Sequence, residues 1–288
     1  MIVVQSQVMG YCNGVARVIE MAEETLRIAQ AKNLPAYSIG WFIHNPTVVE
    51  RFEKKGMQHI ESPDEGPPGV ALVRAHGIGD PLRDAFEKQG FILVDGTCGI
   101  VAYSQRMIRG ASSSKHIVIV GLKGHSEVLA LSNVWDAGKQ IIPVHVVETL
   151  ADIEALPSFE REEIMLMVQT TFPQTQYNMM RDGLRTRYQE RLSVGNRLCP
   201  TTFRRHLAVI DMCKKVDAVI VVGGKASANT TSLVHLVETR KLPVWHVESA
   251  AELPLEIYTY ARVGVTAGTS TPPEDIETVV ALLERGGS

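Results

Sequence analysis

Short apolar runs alternate with longer amphipathic runs along almost the whole chain of 288 residues. The apolar runs, which are typical of buried strands, are residues 2–4, 36–39, 70–73, 91–94, 117–120, 141–147, 164–168, 218–222, 244–247 and 263–266. The amphipathic runs, which are typical of helices, are residues 15–31, 46–55, 80–88, 101–110, 127–136, 173–188, 202–215, 230–240 and 273–283. This alternation predicts an α/β fold in which helices cover mostly parallel sheets.

Three cysteines recur in the same local setting. Cys12 in MGYCNG, Cys98 in VDGTCG and Cys199 in NRLCP each lie where a loop enters a predicted helix. They are 86 and 101 residues apart, which predicts three similar α/β modules. The modules are expected at residues 14–96, at residues 97–195, and at residues 196–288 together with residues 1–13.

The setting of these cysteines indicates metal chemistry. The N-terminus of a helix favours the thiolate form of a cysteine, which is the form that binds metals. Three thiolates brought together on one axis would suit an iron–sulfur cluster. A closed zinc site is the alternative, but zinc sites normally use a local Cys-x-x-Cys spacing, which this sequence lacks. Cys213 lies inside a helical run and is predicted to be a small buried apolar residue.

Composition and charge exclude several classes of partner. The hydrophobic fraction of 45% and the charged fraction of 21% are ordinary for a globular enzyme, and the net charge of −3 offers no basic field for nucleic acid. No apolar run reaches 18 residues, so no membrane partner is expected. The segment MIVVQSQVMG lacks the charged and apolar regions of a signal peptide. We therefore expect a cytoplasmic protein, whose thiols stay reduced.

Polar side chains gather where predicted strands end. In open parallel sheets, ligands bind at the carboxyl ends of the strands. Histidines, hydroxyls and a carboxamide beside helix N-termini indicate a phosphate or diphosphate pocket. Neither a Walker A pattern nor Gly-x-Gly-x-x-Gly follows a strand, so a nucleotide is not indicated. The candidate residues at these points are His44, His76, His125, Thr170, Thr171, Ser227, Asn229, Thr269, Ser270 and Thr271.

Glu127 is the candidate for proton transfer, because it is the only carboxylate in these motifs that lies two residues from a histidine. For each residue alone, the alternative is an ordinary helix cap or a carboxylate favoured by the helix dipole. The joint pattern of cysteines and histidines at equivalent loop-to-helix points favours a functional site.

Nine motifs occur along the chain in the following order: YCNGV, HNPTVVE, RAHG, DGTC, GHSEV, QTTF, the Cys199 loop, SAN and TAGTSTP. In this order and combination the chain resembles the LytB (IspH) family over nearly its whole length. The resemblance implies three α/β modules arranged with pseudo-three-fold symmetry around a central cavity. It also implies that Cys12, Cys98 and Cys199 hold a [4Fe–4S] cluster whose fourth iron binds the substrate oxygen.

The resemblance further implies a reaction. Family members reduce (E)-4-hydroxy-3-methylbut-2-enyl diphosphate to isopentenyl and dimethylallyl diphosphate, the last step of the methylerythritol phosphate isoprenoid pathway. The diphosphate-binding positions of the family match His44, His76, His125, Ser227, Asn229 and Ser270. Thr170 matches a threonine near the substrate hydroxyl, so the resemblance implies a catalytic set of Glu127, Thr170 and His125. The implied electron donor is a ferredoxin or a flavodoxin. The alternative is a paralogue that keeps the cluster but acts on another small anionic substrate, because Ala228 stands where members carry a serine.

Overall fold

The computed structural model describes residues 1–111, 115–159 and 162–286. The strands are β1 (Ile2–Gln5), β2 (Ala36–Ile39), β3 (Met57–Ile60), β4 (Val70–Val73), β5 (Ile92–Asp95), β6 (Lys115–Val120), β7 (Val144–Val147), β8 (Glu163–Val168), β9 (Leu192–Val194), β10 (Ala218–Val222), β11 (Val244–Val247) and β12 (Arg262–Ala267). The α-helices are α1 (Asn13–Lys32), α2 (Pro46–Lys54), α3 (Asp80–Lys88), α4 (Gly99–Ala111), α5 (Ser126–Ser132), α6 (Leu150–Glu154), α7 (Gln174–Tyr188), α8 (Pro200–Cys213), α9 (Ala228–Glu238) and α10 (Pro273–Glu284).

These strands form three four-stranded sheets, with the orders β3-β2-β4-β5, β7-β6-β8-β9 and β11-β10-β12-β1. Every strand pairing within the three sheets is parallel. The predicted α/β class with parallel sheets and three similar modules is therefore confirmed. In each order the last strand leads along the chain to one of the three cysteines. The third sheet takes that strand, β1, from the beginning of the chain.

The strands in the middle of each sheet are apolar because both faces of the sheet are covered by helices. All five residues of β10 are buried. One face of its sheet packs against Val209 of α8 and Leu233 of α9. The other face packs against Val279 of α10. Among the described helices, none combines the length and the apolar character needed to cross a membrane.

The chain divides into two compact units. The first unit comprises Met1–Ala16, Ile43–Lys54 and Pro200–Ser288, and it contains the sheet β11-β10-β12-β1. The second unit comprises Arg17–Phe42 and Lys55–Cys199, and it contains the other two sheets. The bounds of the three modules, at residues 14–96, 97–195, and 196–288 with 1–13, stay a prediction.

Three elements lie outside the predicted set, namely β3, β9 and α6. They are short, and the two strands lie at sheet edges, where few residues need to be apolar. The predicted strand at residues 141–147 was wrong at its start, because β7 begins only at Val144. Pro143 has no N–H for a sheet, and Ile141 instead forms an isolated antiparallel bridge with Trp135. The predicted helix at 127–136 ends earlier, at Ser132.

Candidate active site

Glu127 lies in the first turn of α5 and is 1% exposed. His125 precedes this helix as its N-cap, and its Nδ1 accepts the backbone N–H of Glu127 at 3.1 Å. Both carboxylate oxygens of Glu127 bind Thr170, which follows β8. The backbone N–H of Thr170 donates to Oε1 and its hydroxyl donates to Oε2, each at 2.8 Å. The carboxylate is therefore held on both sides in a buried position.

Burial of Glu127 raises the pKa of its carboxyl group from 4.5 to about 7. The two hydrogen bonds from Thr170 act in the opposite direction, because they favour the charged form. A carboxyl group that titrates near neutral pH can both hold and release a proton under ordinary conditions. The site thus contains an acid that is suited to proton transfer.

Thr170 also joins this acid to a predicted cluster cysteine. The backbone N–H of Cys199 donates to the carbonyl oxygen of Thr170 at 2.8 Å. A similar link holds Cys98, whose N–H donates to the carbonyl oxygen of Ala75 at 2.9 Å. Ala75 precedes His76, and the ring of His76 meets the ring of His125 edge to face with centroids 5.3 Å apart. The candidate residues of the second unit thus all lie in the loops that follow its strands or at the start of the next helix, namely His76, Cys98, His125, Glu127, Thr170 and Cys199.

The first unit holds Cys12 in a comparable way. The backbone N–H of Cys12 donates to the carbonyl oxygen of Thr269 at 3.3 Å. The N–H of Thr269 in turn donates to Oδ1 of Asn229 at 3.1 Å. At the start of α1, the sulfur of Cys12 accepts the N–H of Val15 at 3.4 Å. The start of α1 and the Thr269 carbonyl group thus hold the Cys12 segment in position.

Ser270 and His44 are brought together in the same unit. The hydroxyl of Ser270 donates to the carbonyl oxygen of His44 at 3.2 Å, and the side-chain amide of Asn45 donates to the carbonyl oxygen of Ser270 at 3.0 Å. Ser227 caps α9, because its hydroxyl accepts the N–H of Thr230 at 3.4 Å. Asn229 is 4% exposed, and its Nδ2 has no hydrogen-bond partner among the described residues.

Several residues near the site were not singled out from the sequence. Gln169 connects the loop before α5 to the end of β8, because its side-chain Oε1 accepts the backbone N–H of Leu122 at 3.0 Å. Asn45 caps α2, because its Oδ1 accepts the N–H of Val48 at 3.2 Å, and its side-chain amide also binds Ser270. Arg205 is buried on α8, as are Ala208, Val209 and Met212 in the following turns of the helix. A charged residue on the apolar face of a helix is the one sequence signal that could have indicated Arg205.

Within the parts of the chain that the structure describes, no three His, Cys, Asp or Glu side chains form a set of ligands for a single metal ion. Cys12, Cys98 and Cys199 are half-buried, and none of them forms a disulfide bond. Each of the three cysteines follows a parallel strand, and cysteine sulfur is the ligand that iron–sulfur clusters normally use. The residues present therefore fit such a group.

Residues 3–284 match the family model described as LytB protein. The chain belongs to the LytB family. It is similar to the 4-hydroxy-3-methylbut-2-enyl diphosphate reductase of Treponema denticola, with 32% identity over 292 residues that cover 99% of this chain and 100% of the relative. The reductase of the same name from Solidesulfovibrio magneticus is 34% identical, over 97% of this chain and 98% of the relative.

Solved structures of similar proteins agree with the LytB assignment. The E-1-hydroxy-2-methyl-but-2-enyl-4-diphosphate reductase of Plasmodium falciparum matches with a TM-score of 0.87 and 28% identity, over 98% of this chain and 87% of that chain. A second structure, of an (E)-4-hydroxy-3-methyl-but-2-enyl diphosphate reductase described as the terminal enzyme of the non-mevalonate pathway, matches with a TM-score of 0.74 and 30% identity. It covers 99% of this chain and 100% of that chain. This LytB protein therefore has the fold of those reductases over its whole described length.

Proposed function

We propose that this LytB protein reduces (E)-4-hydroxy-3-methylbut-2-enyl diphosphate to isopentenyl and dimethylallyl diphosphate. The observation that carries the proposal is the hydrogen-bonded series Glu127–Thr170–Cys199, which joins a buried acid to a cluster cysteine. The names of its relatives support the same reaction. The overall reaction consumes two electrons and two protons, breaks one C–O bond and releases water.

The proposed cofactor is a [4Fe–4S] cluster bound to Cys12, Cys98 and Cys199. Three half-buried cysteines outside any disulfide bond support this proposal, and so does the N–H group donated to the sulfur of Cys12. When bound, such a cluster would pass electrons one at a time from the donor to the substrate and would supply iron as a Lewis acid. A ferredoxin or a flavodoxin is the proposed electron donor.

The diphosphate is proposed to bind His44, His76, His125, Ser227, Asn229 and Ser270. The buried, unpartnered Nδ2 of Asn229 supports this, because a buried N–H donor without an acceptor is costly and an anionic oxygen would satisfy it. Ser227 lies at the N-terminus of α9, where backbone N–H groups favour anions. The role of these residues is to fix the diphosphate end of the substrate.

Proton delivery is proposed to run from Glu127 through Thr170. With a pKa of about 7, Glu127 is partly protonated at neutral pH and can give its proton to the leaving hydroxyl. The hydroxyl of Thr170 lies 2.8 Å from Oε2 and can pass a proton on while receiving one. His125 holds the first turn of α5 in place by accepting the N–H of Glu127.

An anaerobic assay tests the reaction. The purified protein, loaded with iron and sulfide, is given a chemical reductant and the hydroxybutenyl diphosphate, and the products are separated by chromatography. We expect both isopentenyl and dimethylallyl diphosphate. A protein with an intact cluster spectrum and no turnover of this substrate would contradict the proposal and favour the paralogue with another small anionic substrate.

Replacing single cysteines tests the cofactor. Changing Cys12, Cys98 or Cys199 to Ser is expected to lower the ratio of iron to protein and the visible thiolate-to-iron absorption. Cys213→Ser is the matched control, because Cys213 lies at the end of α8, outside the loop-to-helix junctions, and should leave both values unchanged. An unchanged iron content in all three site variants would contradict the cluster, and a colourless protein with one zinc would establish the zinc alternative.

A further inference from the structure

Arg205 connects three separate segments of the first unit. It lies on α8 and is 1% exposed. Its Nη1 donates to the carbonyl oxygen of Ala267 at 2.5 Å, and its Nη2 donates to the carbonyl oxygen of Gly10 at 2.7 Å. Burying a cation is unfavourable unless its donors are satisfied, so a guanidinium at this position indicates a specific requirement.

Both carbonyl groups stand next to site residues. Gly10 precedes Cys12 by two positions, and Ala267 precedes Thr269 by two positions. Cys12 and Thr269 are themselves joined by the hydrogen bond from Cys12 N to Thr269 O at 3.3 Å. Arg205 therefore holds both backbone segments that this hydrogen bond joins, the one before Cys12 and the one before Thr269.

Gly10 adopts a φ of +73°, in the left-handed region. This conformation is readily adopted by glycine, and it allows the chain to turn between β1 and Cys12 while the Gly10 carbonyl group accepts from Arg205. An added Cβ would also lie only 3.2 Å from Cδ1 of Ile276. The turn and the arginine thus form one local arrangement.

Arg205 lies six residues after Cys199, and the residues six positions after the other two cysteines also contact the loop before a cysteine. Six residues after Cys12, Val18 packs against Gly96, where an added Cβ would lie 2.6 Å from its Cγ2. Six residues after Cys98, the hydroxyl of Ser104 accepts the side-chain amide of Asn196 at 2.9 Å. Gly96 and Asn196 belong to the loops before Cys98 and Cys199, just as Gly10 belongs to the loop before Cys12.

We propose that Arg205 is a positioning residue that holds the Cys12 loop and the Thr269–Ser270 turn in register, so that the thiol and the diphosphate-binding hydroxyl keep their places. The inference rests on the proposed function. Arginine suits this task because its planar fork reaches two carbonyl oxygens at once, whereas a lysine ammonium offers one compact charge. A residue that served only to stabilise α8 would not affect the two loops selectively.

The test compares Arg205→Lys with Arg204→Lys, the same substitution at the exposed neighbouring arginine of α8. In the cluster-free protein, hydrogen–deuterium exchange of residues 8–16 and 266–272 is measured. We expect Arg205→Lys to exchange about tenfold faster in both segments, because their shared hydrogen bonds open more often. Arg204→Lys should exchange at the wild-type rate.

The iron-loaded protein gives two further values. For Arg205→Lys we expect iron loss to a chelator to be about tenfold faster and the KM for the diphosphate to be about tenfold higher, with kcat changed by less than threefold. Val209→Ala, a core truncation on the same helix, controls for general loss of stability. Equal changes in Val209→Ala would overturn the proposal, as would wild-type exchange and iron retention in Arg205→Lys.

If Arg205→Lys does not fold, Arg205→Gln is the second variant, since its amide can still donate to one carbonyl group. Failure of both variants while Val209→Ala folds would mean that Arg205 serves folding as a whole, which overturns the positioning role. The exchange measurement uses neither cluster nor substrate. If the wild type fails to turn over the diphosphate, the proposed function fails, while exchange in the two segments still decides the role of Arg205.

Discussion

Two loop-to-helix junctions of this LytB protein have the same backbone frame, one between β6 and α5 and the other between β10 and α9. In the first, the backbone N–H of Lys123 donates to Glu148, and in the second that of Lys225 donates to Glu248. In both, the lysine ammonium group also pairs with a carboxylate four residues beyond that glutamate. Two parts of one chain thus build one scaffold from different sequences.

The difference lies in the side chain that each scaffold presents. Glu127 accepts the N–H of Thr170, and Asn229 accepts the N–H of Thr269. In both cases the carbonyl oxygen of that threonine accepts the N–H of a predicted cluster cysteine. The junction with Glu127, the carboxyl frame, therefore holds a group that titrates. The junction with Asn229, the carboxamide frame, holds a group that can only donate and accept hydrogen bonds. The comparison teaches that one repeated frame can hold a buried acid with a raised pKa at one place and a buried amide donor at another.

The largest effect is expected when the carboxyl frame is made to resemble the carboxamide frame. Glu127→Gln keeps the shape and the acceptor for Thr170 N but has no proton to give. We expect kcat to fall about 10³-fold, within the range for loss of a general acid. Steady-state kinetics with a chemical reductant measures this, and iron content should stay at the wild-type value. Full activity in this variant would remove Glu127 from the mechanism.

The second-largest effect is expected in the pH dependence of the free energy of unfolding, which only the frame with Glu127 should influence. Between pH 4.5 and about 7 folded Glu127 keeps a proton that the unfolded chain has released, so the free energy of unfolding falls as the pH rises. Glu127→Gln has no carboxyl group at this position, so its free energy of unfolding does not fall with pH for this reason. From pH 5 to pH 8 its free energy of unfolding should therefore rise relative to the wild type by about 2–3 kcal/mol.

Urea unfolding of the cluster-free proteins at pH 5 and pH 8 provides the measurement. Asn229→Ser is the matched comparison from the other frame, because its amide does not titrate and the difference from the wild type should be the same at both pH values. Parallel curves for Glu127→Gln and the wild type would show that the Glu127 carboxyl group has an ordinary pKa.

A smaller effect is expected when the carboxamide frame receives a carboxyl group. Asn229→Asp removes the Nδ2 donor and adds a negative charge where the diphosphate is proposed to bind. We expect KM to rise about 30-fold with little change in kcat, and Asn229→Ala, which adds no charge, to raise it about tenfold. An unchanged KM in both variants would place the diphosphate elsewhere.

The sequence allows the frames to be predicted only in part. The apolar runs of β4, β6, β8 and β10 indicate parallel strands because both sheet faces are buried. The edge strands β3 and β9 are short and half polar, so no periodicity marks them. Glu127 could be singled out because it lies two residues from His125, where a helix is predicted to begin. Its raised pKa could not, because this depends on burial and on Thr170, 43 residues away.

Arg205 shows the same limit more strongly. It binds Gly10 across 195 residues of sequence, and no local pattern relates the two. The motifs around the cysteines indicate which loops matter, since each lies between a strand and a helix. The side chains that hold those loops in place come from distant helices, and only the folded chain brings them into contact.

The finest distinction between the frames is the threonine hydroxyl. Thr170 donates its hydroxyl to Glu127 as well as its N–H, and this bond lowers the pKa that burial raises. Thr170→Val removes the hydroxyl and keeps the N–H, so the pKa of Glu127 should rise further. If protonated Glu127 is the active form, the fall in activity at alkaline pH should move to higher pH.

The proposed relay through the hydroxyl would also be lost, and kcat below neutral pH should drop about tenfold. The pH dependence of kcat for Thr170→Val against the wild type measures both effects. Thr269→Val is the matched substitution in the other frame, where the partner is an amide, and it should not move the alkaline limb. A limb that stays in place for Thr170→Val, or moves equally for Thr269→Val, would mean that the hydroxyl does not tune Glu127. The two junctions would then differ only in the identity of residues 127 and 229.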